Sequence, residues 1–413
     1  MKPLAEAQRR VLDAMAPLPA AEVPLAEALG LVLADPVAAG GDLPPFANSA
    51  VDGFAVRAAD TAGAPVDLEI LEDVPAGSVP TTPVRPGTAT RIMTGAPMPA
   101  GADAVVMVEE TTSAGDRVTI GVTVAPGTSV RAAGSDVAAG RRVFDAGTRL
   151  GPAHLGLLAA LGITSPRVWR RARVAILSTG DEVLPPETAD LPPGSIRDAN
   201  RPLLAALAAE AGAEVVDYGI VPDDAGLLRA KLAGAAADCD AILTSGGVSM
   251  GDYDLVKQVL AEAGTIEFWR VAMQPAKPFA FGLLEGTPLF GLPGNPVSAT
   301  VAFEQFVRPA LLHRMGSPAL FRPRVDGVLD EAVSTDPEKD VFLRVSARYR
   351  DGRWHAGLSG GQSSHVLAAL AAADAFAVVP VGVGELAAGD RVALEMFRWP
   401  ESRTAEEVAG WTG

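Results

Sequence analysis

A single cysteine, Cys239, stands in 413 residues. That excludes an internal disulfide framework and any multi-cysteine zinc or iron–sulfur site. The four histidines, His154, His313, His355 and His365, are scattered without metal-ligand spacing. They read as ordinary core or surface residues. Aromatic residues make up only 5% of the chain, so alanine and valine carry much of the apolar content. Positive charge is also scarce: 34 basic residues face 50 acidic ones, for a net charge of -16. Duplex nucleic acid would be repelled on average, which argues against a general nucleic-acid role. A small anionic ligand remains open, because local loops override the global field. No long apolar run is present. The Ala-rich stretch 203–216 carries Glu210 and Glu214 and is too short and too charged to span a bilayer. Residues 1–6 lack a signal-peptide pattern, and the expectation is a soluble cytoplasmic protein.

What is present is enough apolar material, 48% against 20% charged, to exclude disorder throughout. The length predicts two to four domains. With 43 glycines and 34 prolines but no Gly-X-Y period, the chain reads as rich in turns rather than collagenous.

Residues 4–15 and 25–33 have helical spacing of apolar positions, ended by Pro36 and Gly40-Gly41. From 46 to 143 short β-like runs (68–74, 104–108, 118–124) alternate with Gly and Pro turns. A helix is predicted at 153–161. The β segment therefore reads as an insertion into a helical domain. Between 171 and 315, strand-like runs at 174–177, 215–216, 241–243, 278–282 and 289–291 alternate with helical runs at 201–211, 223–235, 252–263 and 297–313. That alternation predicts a mainly parallel α/β sheet covered on both faces. From about 321 the β pattern returns, with runs at 325–329, 341–350, 354–358, 376–379 and 392–397 that suit a small barrel or sandwich.

Ligands of open α/β sheets bind at the carboxyl ends of the strands. Three turns fall there: Ser178-Thr179-Gly180-Asp181-Glu182, the run 244–252 from Thr244 through Ser245, Gly246, Gly247 and Ser249, and Pro293-Gly294-Asn295-Pro296. The second suits an anion, since glycines admit close backbone approach and hydroxyls donate. It is neither a Walker A loop nor a dinucleotide fingerprint. Its bland alternative is a tight turn with Asp252 as a cap. Asp181 and Glu182 equally suit a turn-and-cap pair, and Pro293 and Pro296 a purely structural bracket. Lys277, flanked by prolines, is a candidate cation for an anionic ligand or a solvated lysine. Three further segments, 43–56 with Asp52, 91–106 with Thr94, and 134–137 with Asp136, are singly no more than turns with stabilising carboxylates.

Together these strings resemble the MoeA family of molybdopterin molybdenumtransferases, related to the C-terminal part of gephyrin. The matching pieces are 49–55, 91–97, 134–137, 178–182, 244–254, 272–282 and 292–298, in the family's order and across nearly the whole chain. The resemblance implies a multidomain α/β protein. A discontinuous helical domain would take 1–45 and 144–170, and an inserted β-rich domain 46–143. A MogA-like, doubly wound molybdopterin-binding domain would take 171–320, and a C-terminal β-barrel 321–413. It implies a homodimer whose active site joins the α/β domain of one subunit to the inserted domain of the other. The implied reaction hydrolyses adenylylated molybdopterin, releases AMP and places molybdate on the dithiolene. Mg2+ is implied as the ion, and a molybdopterin adenylyltransferase as substrate donor. No nucleic acid or membrane partner is implied.

On the matched motifs, Asp52, Asp136, Glu182, Asp223 and Asp254 are the functional carboxylates. Asp52 and Glu182 are placed at the metal and phosphate centre, where a hard cation takes oxygen ligands. Thr94, Ser249 and the amides of Gly246 and Gly247 would donate to phosphate or molybdate oxygens. Thr179, Gly180, Ser245, Pro293, Asn295 and Pro296 would complete the ligand turns, and Lys277 would face the anion. Many relatives carry lysine where this chain has Arg270 and Gln274, so a charge is kept at the first and lost at the second. The segment 360–365 also resembles a family motif, in which Ser364 reaches the ligand or merely precedes a helix near His365. Two competing functions are the adenylyltransferase step itself, which shares the α/β domain but has no need of Asp52, Thr94 and Asp136, and a gephyrin-like scaffold, in which an intact carboxylate set is superfluous.

Overall fold

The run Val174-Ala175-Ile176-Leu177 contains no polar residue, as expected of a strand covered on both faces. In the computed structural model, which describes residues 1–246, 259, 262 and 265–399, it lies inside the strand Arg173–Thr179 and is fully buried. This strand sits between Glu214–Val221 and Ala241–Ser245, with Thr287–Leu292 next, all four parallel. Pro278–Leu284 and Glu267–Arg270 then continue the sheet antiparallel. The two-residue side-chain period divides the strand between two cores. Val174 and Ile176 pack on the helices Leu4–Asp13 and Asn200–Glu210 and the segment 296–314, whereas Ala175 and Leu177 face the helix Ala225–Asp238. Burial of each large aliphatic side chain contributes about 2 kcal/mol. The doubly wound expectation is met, with the sheet mixed at one edge. The helical run predicted at 252–263 lies outside the described residues.

The chain divides into two compact units, one of Met1–Ala21, Gly30–Val32 and the chain from Val168 onward, the other of Glu22–Leu29 and Leu33–Arg167. In the first unit the C-terminal strands close a barrel. Asp340–Arg350, Arg353–Leu358, Arg324–Leu329, Arg391–Met396 and Ala375–Val379 follow in order, and the last pairs back to the first. Closure removes the exposed edges that an open sheet would present. The short strand Met273–Gln274 pairs with Asp340 and Val341 and so holds the Lys277 segment against this barrel.

In the second unit, a six-stranded sheet runs Ala104–Met107, Gly53–Val56, Thr88–Ile92, Val66–Val74, Arg117–Ile120, Thr111–Ala114. Phe54, Val56, Leu68, Val106 and Ile120 form one core, and Ala55, Val74, Ile92 and Val105 the opposite one. The inserted segment is therefore β-rich as expected. The helix predicted over 25–33 is not formed. Only a 3₁₀ turn, Leu25–Glu27, appears, followed by the strand Val32–Leu33. Gly30 adopts φ 78, which ends any helix before its second turn. Helices in the segments 1–45 and 144–170 are limited to Leu4–Asp13 and Pro152–Ala160. Among the described residues no helix is long and apolar enough to cross a membrane.

Candidate active site

Parallel register brings the three predicted ligand turns to one level. Ser178 lies opposite Ser245, and Ser245 opposite Leu292, so the turns begin at adjacent strand ends. Short polar links then lock them together. The Thr179 hydroxyl donates to the Ser245 carbonyl at 3.3 Å, and the Asn200 side-chain amide donates to Ser245 Oγ and to the Gly294 carbonyl, each at 2.7 Å. Gly246, at φ 97, lets the backbone pass Thr179: a Cβ there would lie 3.0 Å from Thr179 Oγ1. The expected role of the Gly246 amide as a phosphate donor is corrected, because that N–H donates to the Leu292 carbonyl at 3.1 Å. Gly247, Ser249 and Asp254 lie outside the described residues.

The first turn carries two carboxylates with different employment. Asp181 Oδ1 accepts the Asp223 backbone N–H at 2.9 Å, which joins these two turns. Glu182 is exposed, and Gly180, at φ 130, sits directly under its carboxylate. A cavity of about 130 Å3 is walled by Thr179, Glu182, Asp198, Asn200, Ser245 and Gly246, among others. Asp198 and Asn200 are buried here and were not singled out in the sequence. Asp198 accepts from Ser178 Oγ at 3.0 Å and pairs with Arg201 at 3.0 Å. Their signal was a carboxylate and an amide directly before an apolar helix, which reads equally as capping.

Next to it lies a second cavity of about 600 Å3, walled by Lys277, Lys339, Asn295, Ser298, Ser364 and His365, with Gln274 and Pro293. The turn 293–296 is a partition: Pro293 and Asn295 face the large cavity, Gly294 and Pro296 the small one. Asn295 Nδ2 donates to Ser364 Oγ at 3.1 Å, which ties Ser364 to the turn 293–296. The helix follows only at Leu367–Ala371. Lys339 is paired with Asp336, whose carboxyl is held below the usual range by the Lys339 ammonium and the Glu338 amide. Lys277 has no salt-bridge partner among the described residues. Gln274 stands in the wall without charge, and Arg270 is exposed outside it.

One cation escaped the sequence reading. Arg344 lies in the barrel strand Asp340–Arg350 and is 1% exposed. Among the described residues it has no acidic partner. Its guanidinium donates to the carbonyls of Gly361 and Ser363 at 3.2 and 3.4 Å, while Nε has no partner. Burial lowers its pKa to about 10. It walls a 280 Å3 pocket that shares Gln274, Pro275 and Gln362 with the lysine cavity. An arginine within Val341-Phe342-Leu343-Arg344-Val345 was the available signal.

In the other unit, Asp52 and Thr94 meet. Asp52 Oδ1 accepts both the backbone N–H and the hydroxyl of Thr94 at 2.7 Å. These bonds, the backbone one first, hold the Asp52 carboxyl below its ordinary value of 3.8. The segments are set by pairing: Gly95 N–H donates to the Ser49 carbonyl at 2.8 Å, and Ser49 N–H to the Ala96 carbonyl at 3.0 Å. Thr94 was expected to donate to the ligand. Its single hydroxyl proton goes to Asp52 instead, so it positions that carboxylate. Asp136 is exposed on the neighbouring segment, where Val137 bridges Leu43 and Val130–Arg131 pairs with Asn48–Ser49.

Comparison with known proteins covers the same segments of the chain. Residues 2–162 match the MoeA N-terminal region (domain I and II), 175–313 the probable molybdopterin binding domain, and 326–397 the MoeA C-terminal region (domain IV). The chain belongs to the MoeA family. Molybdopterin molybdenumtransferase 2 of Mycobacterium tuberculosis is 43% identical over 95% of this chain and 98% of its own length. The molybdopterin molybdenumtransferase of Nostoc sp. is 39% identical over 90% and 87%. The crystal structure of the molybdopterin biosynthesis MoeA protein from Pyrococcus horikosii superposes with a TM-score of 0.81 at 33% identity, covering 96% of this chain and 99% of that one.

The MoeA resemblance implies Mg2+. Among the described residues no three His, Cys, Asp or Glu side chains cluster to hold a metal. A protein-only cage is thus not formed by them. Glu182 in one unit and Asp52 in the other are each exposed carboxylates, the kind of oxygen donor that a hard cation shares with phosphate oxygens of a ligand.

Proposed function

We propose that this chain inserts molybdenum into molybdopterin. It hydrolyses the pyrophosphate of adenylylated molybdopterin, releases AMP and transfers molybdate to the dithiolene. The observation that carries this reading is the partition at 293–296. A small hydroxyl- and carboxylate-lined cavity at the strand ends and a lysine-lined cavity lie on its two sides, as a reaction joining a phosphorylated ligand to a free oxyanion requires. Lys277, with Lys339 and the adjacent Arg344, draws the tetrahedral dianion. Ser245 and the turn around Thr179 and Gly180 orient the phosphate end of the pterin. Pro293, Asn295 and Pro296 hold the two ligands at a constant separation.

Asp52 stays ionised at neutral pH and, with Glu182, would hold a divalent ion, which would supply charge neutralisation on the pyrophosphate. Asp136, Asp223 and, outside the described residues, Asp254 complete the acidic set. The working form is a homodimer in the cytoplasm, where Asp52 and Thr94 of one copy serve the strand-end turns of the other. Its substrate comes from a molybdopterin adenylyltransferase.

The test is AMP release from adenylylated molybdopterin with Mg2+, with and without molybdate. AMP release that requires molybdate is expected. No release with any divalent metal overturns the reading. AMP transfer from ATP to molybdopterin without molybdate would replace it by the adenylyltransferase reaction.

A further inference from the structure

We infer that Asn200 is a positioning residue for this reaction: it fixes the Ser245 hydroxyl as a hydrogen-bond donor toward the bound ligand and ties the two ligand turns together. The inference rests on the proposed function and names one of its parts. Asn200 opens the helix Asn200–Glu210, is 8% exposed, and walls the small cavity. Its Nδ2 carries two protons, one on Ser245 Oγ and one on the Gly294 carbonyl, each at 2.7 Å. The Gly294 oxygen can only accept, so the amide cannot be reversed. Ser245 Oγ is therefore an acceptor toward Asn200, and its own proton remains for another partner. Among the described residues none takes it. A hydroxyl held this way, at the end of a strand, serves an oxygen acceptor such as a pterin phosphate.

The same side chain spans two turns. Ser245 ends the strand Ala241–Ser245, and Gly294 lies between the strand Thr287–Leu292 and the helix Pro296–Ala302. One amide thus sets the distance from the Ser245 hydroxyl to the partition between the two cavities. Asn200 Oδ1 is buried without a hydrogen-bond partner. A residue kept only for structure would be expected to satisfy that oxygen. Here the donor pair is retained at the cost of an orphaned acceptor.

Asn200→Asp is nearly isosteric and reverses the logic. Its carboxylate repels the Gly294 carbonyl and accepts the Ser245 proton, turning the hydroxyl away from the ligand. Molybdopterin affinity, measured by titration calorimetry on the purified full chain, should fall about tenfold or more at neutral pH. It should recover relative to wild type as pH falls and the new carboxyl protonates. KM for adenylylated molybdopterin should rise with it more than kcat falls. In a Ser245→Ala background the part of the Asn200→Asp effect carried by that hydroxyl should be lost, leaving only the smaller part due to the Gly294 carbonyl.

A loss of melting temperature with affinity and pH profile parallel to wild type would overturn the inference. If Asn200→Asp does not fold, Ser245→Ala alone decides: about a tenfold loss of affinity supports the inference and unchanged affinity overturns it. A wild-type chain that binds molybdopterin but releases no AMP leaves this inference standing and removes only the proposed reaction. One that binds no molybdopterin removes both.

Discussion

Replacing Gly180 by alanine tests the placement of Glu182 directly. At φ 130 an L-residue is strained, and the new Cβ would collide with the Glu182 carboxylate. The conformational cost is about 1–3 kcal/mol. That should lower the melting temperature by roughly 2–10 °C. The collision adds a second effect, since the carboxylate must swing away from the strand-end turns. A displacement of this kind, about 1 Å at a reacting group, costs on the order of 100-fold in rate. Gly194 provides the control. It has φ 87, and a Cβ added there would meet nothing within 4 Å, so Gly194→Ala carries the backbone cost alone. Both variants should melt earlier, but only Gly180→Ala should lose AMP release by about two orders of magnitude. Equal activity in the two, or full activity in Gly180→Ala, would remove Glu182 from the chemistry.

Thr94→Val keeps the backbone donor to Asp52 and removes the hydroxyl, so the Asp52 pKa should rise toward 3.8 without reaching it; an unchanged carboxyl titration by NMR would refute the assigned cause. Because the folded value lies below the unfolded one, these contacts stabilise fully at neutral pH and fade as pH falls through the folded value, so Thr94→Val should lose less stability in acid than wild type. Mixing Asp52→Asn and Glu182→Gln chains, each inactive alone, should restore about a quarter of wild-type activity if the site joins two copies, because half the dimers are mixed and each has one intact site; no recovery would place both residues in one chain's site. Arg344→Met should lower melting by several degrees, since it orphans the Gly361 and Ser363 carbonyls but no acidic partner, while molybdate affinity drops about tenfold, as it should in Lys277→Ala; unchanged affinity in both would take the oxyanion out of that cavity.

The central strands were legible because burial on both faces leaves an unbroken apolar run, as in 174–177 and 241–243. The turns were legible because their Gly, Ser and Pro residues follow such runs directly. What the sequence hid depends on partners distant in the chain. The Gly246 amide and the Thr94 hydroxyl look like free donors until the fold supplies Leu292 and Asp52 as acceptors. Arg344 was not singled out, although it stands within an apolar run, because only closure of the barrel shows that it is buried. The local signal of Asn200 reads as no more than capping: its meaning lies in two acceptors 45 and 94 positions away. The segment 25–33 failed for a local reason, since apolar spacing survives in a 3₁₀ turn and a strand as readily as in a helix.

The main stretch of the β-rich unit, Leu33–Arg167, begins and ends side by side. Ala34 N–H donates to the Arg167 carbonyl at 3.0 Å, and Asp35 pairs with Arg167 at 2.9 Å. Its main stretch is thus a closed circuit of backbone, with both cut points already side by side. A short turn would bridge that gap without stretching either flank, and the excised piece would need no long tether to hold its own ends together. Its two junctions lie together in space although far apart in sequence, so a module of this topology, with the carboxylate it carries, can be exchanged between chains without disturbing the flanking fold.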